Sequence, residues 1–338
     1  MRSGFKNKIF TVVMVLVLAL AAAGCQSQKA SAPGDAGKGK DSFPSKPLEF
    51  VAHTNPGDGA DIFMRTLADT LTKDGIVKQP INVVNKVGGS GAVMMGYLQA
   101  KAGDPHYLMP AQVSLLTTPL RNNLGVTYKD FTPVALLVTD EMVVAVRNES
   151  PYKSMKDIIE AAKKQPKSVN QGGGVYGGSD SILGYLIEKA TGVKFNFITF
   201  KGGGEAVVAL LGGNCDFIAM NPAEVAGQVE AKKMRLVAVA SDKRLEAYPD
   251  VPTLKEQGID VVFQSFRGVA APKDISKEAL ASLEQYMKKA MESETWKKYI
   301  KDNSLTPNFK NSADFAAYLD RQNELYKNVY KEMGLQGK

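Results

Sequence analysis

Four polar or glycine-rich segments divide the chain, and each one follows a strand candidate and precedes a helix candidate. They are NPGDGAD at 55–61, QGGGVYGGSDS at 171–181, FKGGGE at 200–205 and MNPAE at 220–224. Connections of this kind are typical of α/β folds, in which ligands bind beyond the carboxyl ends of the strands. Glycine allows a close approach of the backbone, and a helix start supplies free N–H groups. The pattern therefore predicts an α/β protein with loops that bind a ligand.

Short apolar runs and amphipathic patterns alternate along the chain, which favours mainly parallel sheets. The predicted strands are Leu48–His53, Ile81–Asn85, Tyr107–Pro110, Val134–Val138, Met142–Val146, Ser168–Asn170, Phe195–Phe200, Asp216–Met220, Leu236–Ala240 and Val261–Phe266. The predicted helices include Asp61–Leu71, Ser154–Lys164, Ser179–Thr191, Glu205–Leu211 and Pro222–Lys232. Two more helices are predicted to close the chain, one from Ser276 and one from Ser312 with that serine as its cap.

The N-terminus has the pattern of an export signal. Three basic residues, Arg2, Lys6 and Lys8, precede the apolar run Ile9–Ala23, which ends at Gly24. This run is shorter than the roughly 20 residues that span a membrane. A basic start, a short apolar segment and small residues before a cleavage site together indicate a signal peptide.

The sequence AAGC, which ends at Cys25, resembles the lipobox of bacterial lipoproteins, with Ala22 in the place of the usual leucine. We therefore predict a lipoprotein signal peptide at 1–24, lipidation at Cys25 and a flexible tether at 25–45, rich in Gly, Ser, Pro and Lys. The protein is then lipid-anchored on the outer face of the cell membrane, or on its periplasmic side. Plain secretion with a free Cys25 thiol is the alternative.

Charge and motifs argue against several function classes. Without the three basic residues of the signal, 39 of the 42 basic residues remain against 35 acidic ones, a net charge of +4 without long runs of one sign. We therefore expect no nucleic-acid partner. Neither a phosphate-binding G-x-x-x-x-G-K-[ST] loop nor a dinucleotide fingerprint in a suitable context occurs, so no cofactor is expected.

No arrangement of catalytic or metal-binding residues is apparent, so we expect neither an enzyme nor a metal site. No G-x-S-x-G or H-E-x-x-H motif is present, and the chain has 2 histidines. Asp58 and Asp61 lack the spacing of a calcium loop. Cys215, in an apolar segment, is expected to be a buried, inert thiol. His53 ends the first strand, where it either approaches a ligand or lies at the rim as a satisfied side chain.

Several sequence blocks resemble those of the extracytoplasmic receptors of tripartite tricarboxylate transporters, also called Bug proteins. PGDGADIFMR fits the family's glycine-rich first block, and VVNKVGGSGAVMMGYL fits the second. YKDFTPVALLV, SMKDIIEAAKKQP and FKGGGEAVVALLGGNCDF follow, and YPDVPTLKEQGID with FRGVAAPKDI closes the series. The blocks occur in order from about Pro47 to about Pro307.

The resemblance implies a two-lobed, type II periplasmic-binding-protein fold with two crossing strands, near Val143–Arg147 and Val262–Arg267. Lobe one is then expected at 46–146 plus 263–338, and lobe two at 147–262. The implied function is to capture a small organic carboxylate, such as a di- or tricarboxylate, an amino acid or an aromatic acid, and to deliver it to the transporter's membrane subunits. A ligand sensor that signals to a membrane kinase is the alternative. We expect a monomer.

The resemblance also implies which residues bind the ligand, mainly through backbone N–H groups and hydroxyls. They are Pro56, Gly57, Asp58, Gly59, Ala60, Asp61, Gln112 and Ser114 in lobe one, and Gly178, Ser179, Phe200, Lys201, Gly202 and Asn221 in lobe two. The chain departs from the family with Phe200 for a tyrosine, Ser181 for a histidine and Asp58 for a glycine. Asp58 either caps the first helix or faces the cleft, where its charge favours a ligand with an ammonium group.

Overall fold

The computed structural model describes residues 43–122 and 124–336. The predicted signal peptide, Cys25 and nearly all of the tether lie outside these ranges. Within the described part of the chain, none of the helices combines the length and the apolar character needed to cross a membrane.

Two sheets of six and five strands organise the fold. The first has the strand order β11-β4-β10-β3-β1-β2. Its strands are β1 (Leu48–Ala52), β2 (Ile81–Asn85), β3 (Tyr107–Gln112), β4 (Phe131–Glu141), β10 (Gln264–Pro272) and β11 (Thr306–Lys310). The second has the order β7-β6-β8-β5-β9. Its strands are β5 (Val143–Arg147), β6 (Asn170–Gly173), β7 (Asn196–Thr199), β8 (Phe217–Met220) and β9 (Met234–Val239). We call each sheet with its helices a lobe, the first and the second.

Helices follow most strands, as the alternating pattern predicts. In the first lobe they are α1 (Gly59–Lys73), α2 (Ala92–Gln99), α3 (Val113–Asn122), α8 (Lys277–Glu292), α9 (Glu294–Asp302) and α10 (Ser312–Glu332). In the second they are α4 (Met155–Lys164), α5 (Ser179–Thr191), α6 (Gly203–Leu211) and α7 (Pro222–Glu230). Trp296 of α9 is fully buried and packs edge-on against Phe63 of α1, with ring centroids 5.8 Å apart.

The expectation of mainly parallel sheets is wrong, because both sheets are mixed. Strand β1 pairs in parallel with β2 and β3, and β6 pairs in parallel with β7 and β8. However, β10 is antiparallel to β3 and β4, and β5 is antiparallel to β8 and β9. Strands β5 and β10 are the first strands after the two passages between the sheets, and the edge strand β11 is also antiparallel to β4. The chain leaves the first sheet and later returns to it, and the strands that follow these two passages run opposite to their neighbours.

The chain passes between the sheets twice. It leaves the first sheet after Glu141 and enters the second at Val143, with Met142 between them. It returns where β10 begins, at Gln264. This confirms the α/β two-lobed fold. The exact lobe limits of 46–146 plus 263–338 and 147–262 stay a prediction.

Candidate functional site

A cleft of about 240 Å³ lies at the passage between the sheets. Its lining comes from the ends of β1, β3 and β4, the starts of α1, α3 and β10, and one residue of the second lobe: His53, Gly59, Ala60, Gln112, Val113, Ser114, Asp140, Asn221, Ser265, Phe266 and Arg267. Five of the predicted ligand-binding residues line it, namely Gly59, Ala60, Gln112, Ser114 and Asn221. The cleft is therefore the candidate binding site.

The buried carboxylate of Asp61 holds the loop before α1 in place through hydrogen bonds. Its Oδ1 and Oδ2 accept bonds of 2.9 Å from Arg65 Nε, and Oδ2 also accepts one of 2.9 Å from the Gly57 amide. Asn85 Nδ2 of β2 donates to Oδ1 at 2.8 Å. Burial opposes ionisation, but the bonds from Arg65, Gly57 and Asn85 outweigh it and lower the pKa of Asp61. Asp61 thus positions the loop and is not part of the cleft lining.

The other predicted residues of this loop lie on its outer side. Gly57 adopts φ +89°, a conformation that suits glycine. Pro56 and Asp58 are exposed. Asp58 occupies the N-cap position of α1 but makes no side-chain bond to that helix. Its Oδ2 accepts instead from the Asn55 amide at 3.2 Å. The structure therefore places Asp58 in a local turn, away from the cleft lining.

His53 and Ser114 form a neutral polar pair on the cleft wall. Ser114 Oγ lies 3.3 Å from His53 Nε2. Burial lowers the pKa of His53, so the imidazole is neutral at physiological pH. The other ring nitrogen, Nδ1, is buried without a hydrogen-bond partner among the described residues. Of the two alternatives from sequence, the one in which His53 approaches the ligand site agrees with this position.

Arg267 is the cation of the cleft. It lies on β10, opposite Gln112 of β3 in the sheet register. Its Nη2 donates to Asp140 Oδ2 at 2.5 Å, and its Nη1 donates to the hydroxyl of Tyr299 at 3.1 Å. Burial disfavours the guanidinium charge, but Asp140 outweighs this effect and raises the pKa of Arg267. A permanent positive charge therefore lines the cleft.

Asp140 is only partly satisfied by this ion pair. Its side chain is 3% exposed, and its second oxygen, Oδ1, has no hydrogen-bond partner among the described residues. Burial raises the pKa of Asp140, although the charge and the hydrogen bond of Arg267 act against the shift. A buried oxygen of this kind normally has a donor, so it indicates a place where a ligand group can bind.

Asn221 connects the second lobe to the passage between the sheets. It precedes α7, and its Nδ2 donates to the main-chain oxygens of Asp140 at 3.4 Å and Glu141 at 3.2 Å. The Glu141 carboxylate is buried and accepts bonds from three neutral donors, Thr139, Gln264 and Thr306. Polar side chains therefore determine the backbone geometry where the lobes join.

The remaining predicted residues of the second lobe lie outside the cleft lining. Gly178 lies in the loop after β6 and Ser179 begins α5, while Phe200, Lys201 and Gly202 lie in the loop after β7. Because β7, β6 and β8 are parallel neighbours, these loops and Asn221 lie at one edge of the second sheet. The Lys201 side chain is 91% exposed, and its Nζ lies 3.8 Å from Glu205.

The carboxylate of Asp180 occupies one amide of the loop after β6 and one amide in the first turn of α5. The Gly174 amide donates to its Oδ2, and the Ser181 amide donates to its Oδ1 at 2.8 Å. Burial raises the pKa of Asp180, although these backbone bonds oppose the shift. The glycine loop at 171–181, which the sequence predicts to bind a ligand, thus contains a carboxylate of the chain itself.

Glu224 is a second acidic residue at the same edge of the second sheet as Asp180. It lies in the first turn of α7, and its backbone amide donates to the main-chain oxygen of Asn221 at 3.1 Å. A Cβ placed on Gly203 would lie 2.4 Å from Glu224 Oε2, so glycine leaves room for the carboxylate. Burial raises the pKa of Glu224, and the charges of Asp140 and Asp180 raise it further, while Arg267 lowers it. The pKa of Glu224 therefore depends on the charges of Asp140, Asp180 and Arg267.

Cys215 and the metal-binding residue types bear on two further predictions from the sequence. Burial raises the pKa of Cys215 to about 11, which confirms a buried thiol that is protonated and inert. Within residues 43–122 and 124–336, His, Cys, Asp and Glu form no cluster of three that would suit a metal ion.

Comparison with known proteins decides the family. The model of the tripartite tricarboxylate transporter family receptor, TctC, matches residues 63–335. The chain belongs to the TctC receptor family. The UPF0065 protein in gbd 5'region of Cupriavidus necator is 31% identical over 299 residues, which are 87% of this chain and 90% of that protein.

Solved structures agree with membership in the TctC family. A TctC solute-binding protein from Polaromonas, without ligand, is 28% identical with a TM-score of 0.78, and the match covers 86% of this chain and 99% of that one. A protein of R. palustris with adipate is 21% identical with a TM-score of 0.73 and a coverage of 86% and 98%, which shows a shared fold. Family and fold are those of exported solute receptors.

Sequence reasoning missed Asp140, Ser265, Phe266 and Arg267 as site residues of this TctC receptor. One signal was available, since Asp140 and Glu141 interrupt an apolar run and Arg267 lies within another. Buried charges need partners, so opposite charges inside apolar strands are candidates for an ion pair. Their pairing depends on the strand order, which the sequence does not reveal.

Proposed function

We propose that this TctC receptor captures a small organic carboxylate in the cleft and delivers it to the membrane subunits of a tripartite tricarboxylate transporter. The observation that carries the proposal is Arg267, a permanent cation on the wall of a cleft in a receptor of this family. A guanidinium binds carboxylates through directed hydrogen bonds. The adipate in the R. palustris protein of the same fold supports this ligand class.

The lining of the first lobe can complete the carboxylate site. Ser114 and Gln112 supply hydroxyl and amide donors, and α1 begins at Gly59 beside the cleft. A helix start offers unpaired N–H groups and favours negative charge. A Cβ at Gly59 would come within 4.0 Å of Arg267 Nη1, so a larger side chain here would crowd the guanidinium. We assign the ligand carboxylate to this position, between Arg267, Ser114 and the start of α1.

Closure of the lobes is proposed to complete the site. Asn221 is the second-lobe residue in the lining, and it already contacts the passage at Asp140 and Glu141. Receptors of this architecture bind ligand by rotating one lobe against the other. The predicted second-lobe residues Gly178, Ser179, Phe200, Lys201 and Gly202 belong to the loops that such a rotation brings toward the cleft.

Binding can be tested by calorimetry of the purified mature protein with succinate, adipate, citrate, benzoate and aspartate. We expect at least one acid to bind with micromolar affinity, and Ser114→Ala to weaken it about fivefold through loss of one hydrogen bond. Arg244→Gln, which removes an exposed arginine paired with Glu256, is the control and should not change the affinity. If none of these five acids binds, the proposal is refuted.

The membrane location is proposed from the sequence alone. Cys25 as a lipidated first residue would anchor the mature protein, with the tether at 25–45 separating the receptor from the membrane. Labelling of cells with a radioactive fatty acid should mark the protein, and Cys25→Ser should abolish the label and release the protein. A labelled Cys25→Ser protein would contradict the anchor at this position.

A further inference from the structure

The edge of the second sheet that contributes Asn221 to the cleft also carries negative charge. Asp180 and Glu224 lie on adjacent loops of one sheet edge, and the charges of both Asp180 and Asp140 act on Glu224. Lys201, the cation expected here from sequence, has a side chain that is 91% exposed and lies beside Glu205. No basic side chain in the described part of the chain pairs with Asp180 or Glu224.

The first-lobe side is balanced. Arg267 and Asp140 form one ion pair, and His53 is neutral because burial lowers its pKa. A ligand therefore meets one cation, which Asp140 partly compensates, and two further carboxylates lie at the sheet edge that carries Asn221. A compound with two carboxylates would place its second negative charge next to Asp180 and Glu224, where like charges oppose it.

The amides that would attract a second carboxylate are already used. Asp180 accepts from the Gly174 and Ser181 amides, so the start of α5 is neutralised from within the chain. A carboxylate of the chain itself therefore already occupies amides that a second ligand carboxylate would need on this side.

Asp140 adds an independent observation. Its side chain is 3% exposed, it lines the cleft, and its Oδ1 has no donor among the described residues. An ammonium group has three donors and no acceptor, so it can satisfy this oxygen and also approach the second-lobe carboxylates. A ligand carboxylate cannot, because it only accepts.

We infer that this receptor selects a zwitterionic ligand, which carries an ammonium group as well as a carboxylate. The inference rests on the proposed function and specifies its ligand class. The carboxylate binds at Arg267 and the start of α1, and the ammonium faces Asp140, Asp180 and Glu224. Glu224 is the specificity-determining residue, because it follows the cleft residue Asn221 by three positions and its carboxylate does not hold the amides that Asp180 occupies.

Two matched pairs of compounds test the inference: succinate against aspartate, and butanoate against 4-aminobutanoate. Within each pair the skeleton is the same, and one member carries an ammonium group. Calorimetry of the mature protein should show the amino compound binding at least about tenfold more tightly in at least one pair. Glu224→Gln should remove most of this ratio, and it should not weaken the compound that lacks the ammonium.

Glu230→Gln is the matched control, since Glu230 lies at the opposite end of the same helix. It should leave the ratio unchanged. Tighter binding of succinate and butanoate than of their amino partners would overturn the inference but leave a carboxylate receptor intact. A ratio that Glu224→Gln does not change would overturn the role of Glu224. If none of the four compounds and no other carboxylate binds, the proposed function itself fails, and this inference fails with it.

Discussion

Arg267 on β10 and Asp140 on β4 form an ion pair whose residues are 127 positions apart in sequence and lie on neighbouring strands. Arg267 thus has two partners, the carboxylate and the Tyr299 hydroxyl, and still borders the cleft. A cation held by two neighbours is oriented before the ligand arrives, which lowers the entropy lost on binding. The pair therefore links the stability of the first sheet to recognition in the cleft.

Arg267→Gln should separate these two roles. The substitution leaves Asp140 buried without its counter-charge, so the free energy of unfolding should fall by about 3 kcal/mol. Affinity for the ligand carboxylate should fall about 100-fold. Urea unfolding and calorimetry measure the two effects.

The double variant Arg267→Gln/Asp140→Asn provides the control for this experiment. It removes both charges, so it should regain most of the stability and none of the affinity for the carboxylate. Recovery of binding in the double variant would show that Arg267 acts through folding alone and does not bind the ligand.

Glu141→Gln should stabilise the protein at neutral pH. The Glu141 carboxylate is 2% exposed, and burial raises its pKa above 4.5, against the effect of the Thr306 and Thr139 hydroxyls. A raised pKa means that the folded state binds the proton more tightly. This contribution to stability is present below pH 4.5 and is lost as the pH rises through the folded-state pKa.

A neutral glutamine can keep the same contacts, because the Thr306 hydroxyl can accept as well as donate. We expect Glu141→Gln to gain roughly 1 kcal/mol at pH 7.5 and little at pH 4. Urea unfolding from pH 4 to pH 8 measures this difference. A gain of equal size at both ends would show that charge burial at Glu141 does not contribute.

Many individual strands and helices of the fold could be predicted from the sequence. The passages between the two sheets could be predicted only in part. Ile81–Asn85 and Ser179–Thr191 have the expected limits, because a short apolar run and an amphipathic pattern define them locally. Strand β11 was not expected, since TPNFK is polar and contains a proline, as edge strands often do. The last helix begins at Ser312 and its N-cap is Asn311, whereas Ser312 was predicted as the cap.

The candidate site could likewise be predicted only in part from the sequence. Gly59, Gln112, Ser114 and Asn221 follow or end strands, so the rule for ligand positions in α/β sheets identifies them. The roles of Asp140, Asp180 and Glu224 depend on strand order and on side-chain contacts between distant segments. A glycine loop in a sequence also cannot show whether its amides are free or already bound by a neighbouring acid, as at Asp180.

Asp61→Asn should loosen the loop at 53–58. The variant loses the charge-assisted bonds that connect Asp61 with Arg65 and the Gly57 amide. Unfolding free energy should fall by about 2 kcal/mol at pH 7. The lowered pKa of Asp61 contributes stability above the ordinary value of 3.8, so the difference from wild type should shrink as the pH falls below it.

Asp58→Asn is the control within the same loop. Asp58 is exposed and accepts one bond from the Asn55 amide, so its loss should cost less than about 0.5 kcal/mol. Thermal unfolding of the two variants at pH 7 and pH 3.5 makes the comparison. Equal destabilisation by both would show that the loop does not depend on the buried carboxylate.

Gly203→Ala should change ligand binding with little effect on folding. A Cβ at this position would lie 2.4 Å from Glu224 Oε2 and 2.8 Å from Met220 Cε, both at the ends of side chains that can move. Gly204 is the next residue of α6, and a Cβ there has no neighbour within 4 Å. Both substitutions replace glycine in a helix, so each gains up to about 1 kcal/mol of helix propensity.

The displacement of Glu224 is therefore the difference between the two variants. We expect Gly203→Ala to weaken an amino-acid ligand about fivefold relative to Gly204→Ala, since a displaced carboxylate no longer meets the ammonium group. Added to Glu224→Gln, Gly203→Ala should have no further effect on affinity, because the charge it displaces is absent. An equally large loss in that background would mean that Gly203 affects the ligand through the backbone of its own loop and not through Glu224.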